Sequence, residues 1–257
     1  MTDQTSRAIR LFDELAAEYD EALPFFRGFA ELHAEWLAPA PGTRVLDLGA
    51  GTGTLTGAFL SRSCEVTAVD AAPAMAARLA GLHPEAQVRV MDIHTLDFPD
   101  ASFDLVCAGF VIHLLEDPGA AVAEAHRVLR PGGAFSFSTP ADVEDAPEWA
   151  FYPALFKEFQ AFIPQGEGRL GREIDEEGLL EQAGFRDLAY TGVEQRLPIP
   201  DADTFWAWAL SHGSRAFINA LPAQKRDEFE GRVRAELAML ESPIVFPAGA
   251  SLDRGTA

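Results

Sequence analysis

The chain has 257 residues, 48% hydrophobic and 23% charged, a globular balance that excludes wholesale disorder. Forty acidic residues stand against 20 basic ones, a formal charge of −20, so phosphate backbones and anionic bilayers are poor partners. Residues 1–40 read as an N-terminal helical lid. Ile9, Phe12, Leu15, Ala16 and Tyr19 share one helix face until Pro24, and a second apolar stretch, Phe25 to Leu37, ends before Pro39-Ala40-Pro41-Gly42.

Five short apolar runs then read as strands: Arg44–Leu48, Glu65–Val69, Val88–Met91, Phe103–Cys107 and Ala134–Ser138. Helices are expected between them at Thr54–Arg62, Pro73–Gly81 and Pro118–Leu129. The last has Asp117 as N-cap, Pro118 at its first position, Arg127 and Arg130 near its negative end, and a stop at Pro131-Gly132-Gly133. Strand and helix in alternation predict right-handed βαβ units, so residues 41–140 form the core of a parallel sheet with helices on both faces.

After Pro140 the rhythm breaks. Residues 141–171 are aromatic and acidic, with Asp142, Glu144, Asp145 and Glu148 expected in a solvated loop. A helix at Glu176–Ala183, a strand at Leu188–Val193, helical segments at Asp203–Ala220 and Ala223–Leu240, and a strand after Pro247 complete the pattern. Residues 141–257 therefore finish the sheet and carry two helical lid insertions, about 141–171 and 200–242.

Cys64 and Cys107 cannot make a disulfide framework, and both sit in apolar runs where inert buried thiols are expected. Met1–Gln4 lacks the apolar segment of a signal peptide, and no apolar run approaches the about 18 residues of a membrane span. A cytoplasmic protein with no nucleic-acid or membrane partner and no metal site is expected.

The segment Val45-Leu46-Asp47-Leu48-Gly49-Ala50-Gly51-Thr52-Gly53 runs from a strand through a glycine-rich turn into a helix. Glycine permits positive φ and close approach of a ligand to the backbone, and the helix N–H groups face whatever anion sits there. The dinucleotide pattern G-x-G-x-x-G would need glycine where Thr54 stands. Asp47 gives nothing to a pyrophosphate but suits a cofactor bearing a sulfonium and an ammonium. Asp70 ends the second strand roughly 20 residues after Gly49, placed to accept from two ribose hydroxyls. Asp92 ends the third strand, where a carboxylate can accept from an adenine amino group.

With these motifs the chain resembles the class I S-adenosylmethionine-dependent methyltransferases, in particular the small-molecule branch that includes ubiquinone and menaquinone methyltransferases. Residues 45–53, 65–70, 88–93 and 103–139 are similar to that family's successive motifs. Phe103-Asp104-Leu105-Val106 through His113, and Arg127 to Gly133, resemble the branch signature, and Phe12-Asp13 with Ala16 to Asp20 resembles its entry helix. The likeness implies a Rossmann-like, seven-stranded, mostly parallel sheet with an antiparallel last strand. It implies that Gly49, Gly51, Thr52 and Gly53 lie along the methionine moiety of S-adenosylmethionine, with Asp47 near its ammonium. Asp70 would hold the ribose, Ala71 and Met75 would flank the adenine, and Asp92 and Ile93 would hold its amino edge and face. Tyr19 would close over the carboxylate end, and Ala108 and Gly109 would face the donor methyl. The product would be S-adenosylhomocysteine.

Methyl transfer from a sulfonium is an in-line displacement that needs a close nucleophile, dry walls, and a base only where the acceptor arrives protonated. His113 is the first candidate for that base, because an imidazole titrates near neutrality. Family relatives often carry His-His here, whereas this chain has His113-Leu114. His212 lies on an insertion that related enzymes fold over the acceptor. Trp149, Trp206 and Trp208 fall in the two insertions, and six aromatics, Tyr152 and Phe156 among them, crowd positions 149–162. Tyr152, Phe156, Trp208 and His212 are therefore expected to contact an aromatic or polyketide-like acceptor under an apolar lid.

The expected activity is methyl transfer to oxygen, or nitrogen, of a small and largely apolar metabolite in secondary metabolism or quinone-like biosynthesis, by a monomer or homodimer. A protein of the same fold that binds the cofactor but acts as a cyclase or decarboxylase, or as a silent binding subunit, is the alternative. A nicotinamide oxidoreductase is the fold-level one. Nucleic-acid methyltransferases are disfavoured, because Ala108-Gly109-Phe110-Val111 stands in place of the Asn/Asp-Pro-Pro-aromatic motif and no Pro-Cys nucleophile is present.

Overall fold

Two amphipathic helices, α1 (Asp3–Leu15) and α2 (Phe25–Leu37), precede the first strand of a computed structural model that describes residues 3–143, 146–168 and 170–257. Met1 and Thr2, at the N-terminus expected to lack a leader, and Glu144 and Asp145, expected in the solvated loop, lie outside the described residues. The chain continues through β1 (Arg44–Leu48), α3 (Thr54–Leu60), β2 (Glu65–Asp70), α4 (Pro73–Leu82), β3 (Gln87–Val90) and β4 (Phe103–Gly109). It then forms α5 (Pro118–Val128), β5 (Leu129–Ala141), α6 (Phe151–Phe159), α7 (Glu176–Gln182) and β6 (Arg186–Pro198). Last come α8 (Ala202–Leu210), α9 (Ser214–Ala220), α10 (Ala223–Leu237) and β7 (Val245–Thr256).

The described residues form a seven-stranded sheet in the order β3-β2-β1-β4-β5-β7-β6. β7 inserts between β5 and β6 and runs antiparallel to both, while the other pairings are parallel. This is the Rossmann-like plan, antiparallel last strand included. β1 and β4 sit at the centre and alternate faces with period two. Leu46, Leu48 and Val106 pack toward Ala121, Val122 and Ala125 of α5, whereas Val45, Leu105 and Cys107 pack toward Ala34 of α2 and Phe59 of α3. Both faces are thus apolar, as a covered parallel sheet requires. Cys64 and Cys107 are buried and unbridged.

Several boundaries differ from the sequence reading, β6 running over Arg186–Pro198 among them, and three bear on the site. The Pro131-Gly132-Gly133 stop lies inside β5, which begins at Leu129 with a register shift against β4. Gly133 is needed there, because a Cβ would come within 3.0 Å of the Asp104 carbonyl. β4 extends to Gly109, so Ala108 remains within the sheet. The single helix expected over 203–220 is two, α8 and α9. The Trp208 carbonyl accepts from the Ser211 amide (2.9 Å), the Ser211 hydroxyl (2.8 Å) and His212 Nδ1–H (2.7 Å), and this triple cap ends α8.

The insertions have a core of their own. Trp149, Phe159, Phe205, Trp206, Phe229 and Leu237 are buried together, with aliphatic residues of α8, α9 and α10 around them. No helix among the described residues is long and apolar enough to cross a membrane.

Candidate functional site

The carboxyl ends of β1, β2 and β4 open into connected spaces, as expected for an open α/β sheet. The glycine loop after β1 sets the floor. Gly49, Gly51 and Gly53 all have positive φ (62°, 56° and 92°), and a Cβ on Gly49 would lie 2.6 Å from Val111 Cγ2. Asp70 accepts the Gly51 amide (2.8 Å) through Oδ2 and the Ala72 amide (2.8 Å) through Oδ1. One carboxylate therefore joins the glycine loop to the start of α4.

A first cavity lies over this loop. Gly49, Gly51, Asp70, Ala71, Met75, Asp92, Ile93 and Gly109 line it, and α1 covers it with Thr5, Ala8, Ile9 and Phe12. A second, narrower space continues past Gly49 and Gly51 to Asp47, Thr54, His33 and Ser138. A third, larger cavity of about 980 Å³, open to solvent, is walled by residues from α2, the 147–153 segment, α8, the α8–α9 turn and the start of β7. Tyr19 and Phe110 line all three.

Electrostatically the space over the glycine loop is acidic and partly desolvated. Asp47 is buried with the Thr56 hydroxyl donating to it (2.6 Å), and burial pushes its pKa up to about 7 against the hydrogen bonds it accepts from Thr56. Burial also raises Asp70, opposed by its two amide donors. Asp92 differs. Its burial penalty is outweighed by His94, whose amide (3.0 Å) and ring nitrogen (2.7 Å) both meet Oδ1, so it stays below the usual carboxylate range. Tyr19 stacks on Phe26 at 4.8 Å, and burial, with Asp20 and Asp70 nearby, raises its phenol.

Four of the expected residues stand elsewhere. Thr52 and Gly53 line none of these spaces: Thr52 is buried in the turn, and Gly53 backs onto His83 and Leu79. Ala108 is fully buried in the sheet core. Phe156 faces a neighbouring pocket with Lys157 and Phe217.

His113, Tyr152, Trp208 and His212 do border the large cavity. Burial pushes both histidines down to about 4, so each is neutral near pH 7. His212 has a defined tautomer, because its Nδ1–H serves the Trp208 carbonyl and leaves Nε2 as the lone-pair nitrogen, 3.2 Å from Ser214 Oγ.

Sequence reasoning missed Phe25, Phe26, Phe110 and His33. Phe110 holds a left-handed φ of 56° with its amide on Ser138 Oγ (3.0 Å), a strain no local signal announces. His33 is buried in α2. Ser136 Oγ donates to the Asp253 carbonyl (2.8 Å) and accepts from His33 Nε2 (2.7 Å), a partnership across more than a hundred residues.

Residues 46–137 match the family model described as a methyltransferase domain. The chain is 41% identical over 137 residues to a malonyl-[acyl-carrier protein] O-methyltransferase of Halorhodospira halophila, covering 51% of this chain and 46% of that protein. The chain thus spans about half the length of that relative. It is 31% identical over 209 residues to the demethylmenaquinone methyltransferase of Beutenbergia cavernae, covering 71% of this chain and 84% of that protein. Among solved structures, the YcgJ protein of Bacillus subtilis is similar in fold, with a TM-score of 0.56 at 23% identity over 90% of this chain and 97% of that one.

Proposed function

On the premise that this chain belongs to the class I small-molecule methyltransferases, we propose that it moves a methyl group from S-adenosylmethionine to an oxygen of a small molecule held in the large aromatic cavity. The observation that carries this reading is that Tyr19 and Phe110 border the two spaces over the glycine loop and the aromatic cavity alike, so a donor on one side and an acceptor on the other would meet between them.

The residues present fit that cofactor. Asp70, already oriented by two amides, keeps lone pairs for a ribose diol. Asp92 Oδ2 has no partner among the described hydrogen bonds, so it is left to accept from an adenine amino group beside Ile93. Asp47 supplies a buried carboxyl that a cationic ammonium would ionise. When bound, the cofactor supplies an electrophilic methyl on a positively charged sulfur. Everything else falls to the protein: α1 excludes water, the aromatic walls hold the acceptor, and His113 or His212 receives a proton from an acceptor hydroxyl. Oxygen leads because both nitrogens are neutral near pH 7 and because one relative is named as an O-methyltransferase.

The names of these relatives also favour transfer over a non-methylating cofactor protein. The test is calorimetric titration with S-adenosylhomocysteine, followed by mass spectrometry of acceptor panels incubated with S-adenosylmethionine. Absence of cofactor binding would overturn the reading, and so would binding without a mass gain of one methyl on any acceptor that itself binds.

A further inference from the structure

Resting on the reading that the adenine of the cofactor lies beside Asp92, we infer that His94 is a positioning residue. It holds the Asp92 carboxylate in one orientation, so that the site takes a purine bearing an exocyclic amino group and turns away its oxo counterpart.

The hydrogen bonds carry the argument. Oδ1 of Asp92 accepts twice from the same residue, from the His94 amide at 3.0 Å and from the ring nitrogen Nδ1 at 2.7 Å. The cost of partial burial to Asp92 is outweighed by these two contacts, so the carboxylate is ionised at neutral pH. An ionised carboxylate has no proton to give, so the hydrogen in the shorter contact sits on Nδ1 and the ring donates. Swinging the carboxylate about its own axis would break both bonds at once. Oδ2 has no partner among the described hydrogen bonds, and Asp92 and His94, both half-buried, line the space over the glycine loop.

His94 is itself held in place. The Asp92 carbonyl accepts the Thr95 amide (3.2 Å), which closes a turn around the imidazole's own residue. Just beyond it, the Leu96 amide donates to Glu124 (2.8 Å) and the Leu96 carbonyl accepts from Arg127 (2.8 Å), both on α5. Arg127 also reaches the Phe98 carbonyl (2.8 Å). The ring that orients Asp92 is thus carried on a segment fastened to a helix of the core.

Chemistry then sets the selectivity. A carboxylate only accepts, and the exocyclic amino group of adenine offers hydrogens, so the two are matched. Hypoxanthine presents a carbonyl oxygen at that position and carries its hydrogen on the neighbouring ring nitrogen. A carboxylate free to swing would follow that hydrogen and bind both purines. One pinned by His94 meets the carbonyl instead, oxygen against oxygen, and the site discriminates by a repulsive contact as well as an attractive one.

The test titrates the full chain at neutral pH with S-adenosylhomocysteine and with S-inosylhomocysteine, the same thioether carrying hypoxanthine. The adenosyl form should bind at least about thirtyfold more tightly, the scale of one hydrogen bond to a charged group. His94→Ala should cut that ratio at least about fivefold, in part by tightening the inosyl form, a gain that mere loosening of the site would not give. His94→Asn, whose side-chain amide can stand where Nδ1 does, should return the ratio to within about twofold of the wild type. His94→Leu, which fills the ring's space without a donor, gives the same reading should His94→Ala not fold. A ratio that stays unchanged without the ring donor, or falls with no gain for the inosyl form, overturns the inference and leaves the cofactor reading in place. So does a His94→Asn variant that behaves as His94→Ala. Equal binding of the two thioethers by the wild type overturns it by taking the base away from Asp92. Failure of S-adenosylhomocysteine itself to bind removes both the inference and the reading beneath it.

Discussion

Asp70 accepts the amide of Gly51 at 2.8 Å and, through its other oxygen, the amide of Ala72 at 2.8 Å. The carboxylate that ends β2 is thus both the expected ribose acceptor and the clamp that fixes the glycine loop over it. Burial raises its pKa, and the two amides are what keep the charged form favourable there.

Removing that clamp should cost the cofactor site twice. A hydrogen bond to a charged group contributes about 1.5–3 kcal/mol. Asp70→Ala should therefore weaken S-adenosylhomocysteine binding by about 100-fold and lower Tm, while Asp70→Asn, which keeps one acceptor oxygen, should lose less of both. Calorimetry and thermal unfolding read the two effects. Wild-type affinity in Asp70→Ala would contradict the placement of the ribose.

Asp47 should make cofactor binding pH-dependent. Its pKa in the free protein is pushed up to about 7 by burial, so below that pH it is mostly protonated. An ammonium beside it favours the ionised form and lowers its pKa in the complex. Affinity should then rise as pH increases from about 5.5 to about 7.5, with release of a proton on the acid side of that window. Titrations in buffers of different ionisation enthalpy would show it, and a pH-independent affinity would rule Asp47 out as the ammonium partner.

For the two histidines the sign is opposite. Burial lowers both to about 4, so neither should titrate at the usual histidine pKa near 6.5. Turnover should show no inflection there, while His113→Ala and His212→Ala should each reduce turnover at least about tenfold with S-adenosylhomocysteine affinity intact. An inflection near 6.5 that vanishes in either variant would show that the acceptor complex restores the solvent-like value.

Gly49→Ala tests the close approach of the glycine loop and the segment that follows β4. The new Cβ would lie 2.6 Å from Val111 Cγ2 at a φ of 62°, so both overlap and backbone strain oppose it. A loss of about 1–3 kcal/mol and of cofactor binding is expected. Val111→Ala in the same chain should recover the part due to overlap, and no recovery would assign the whole cost to φ.

Local chemistry wrote the cofactor side of this protein into its sequence. A strand, a positive-φ turn and a helix start must be contiguous, so Asp47 to Thr54 could be read as one unit, and Asp70 and Asp92 follow because each succeeds a strand. The sheet plan was legible for the same reason, since alternation of short apolar runs with helical spacing leaves few topologies. What contiguity cannot encode was missed: the His33–Ser136 hydrogen bond between α2 and β5, and the φ of Phe110.

The acceptor side was decided by tertiary packing alone. Phe25, Phe110, His113, Trp208 and Phe246 are scattered over more than two hundred residues and meet only because the insertions fold around a core of their own against the edge of the sheet. Residue type announced that rings would be there. Which rings face the cavity and which, like Trp206, stay buried in the insertion core depends on where α8 ends, and a carbonyl capped by Ser211 and His212 sets that point.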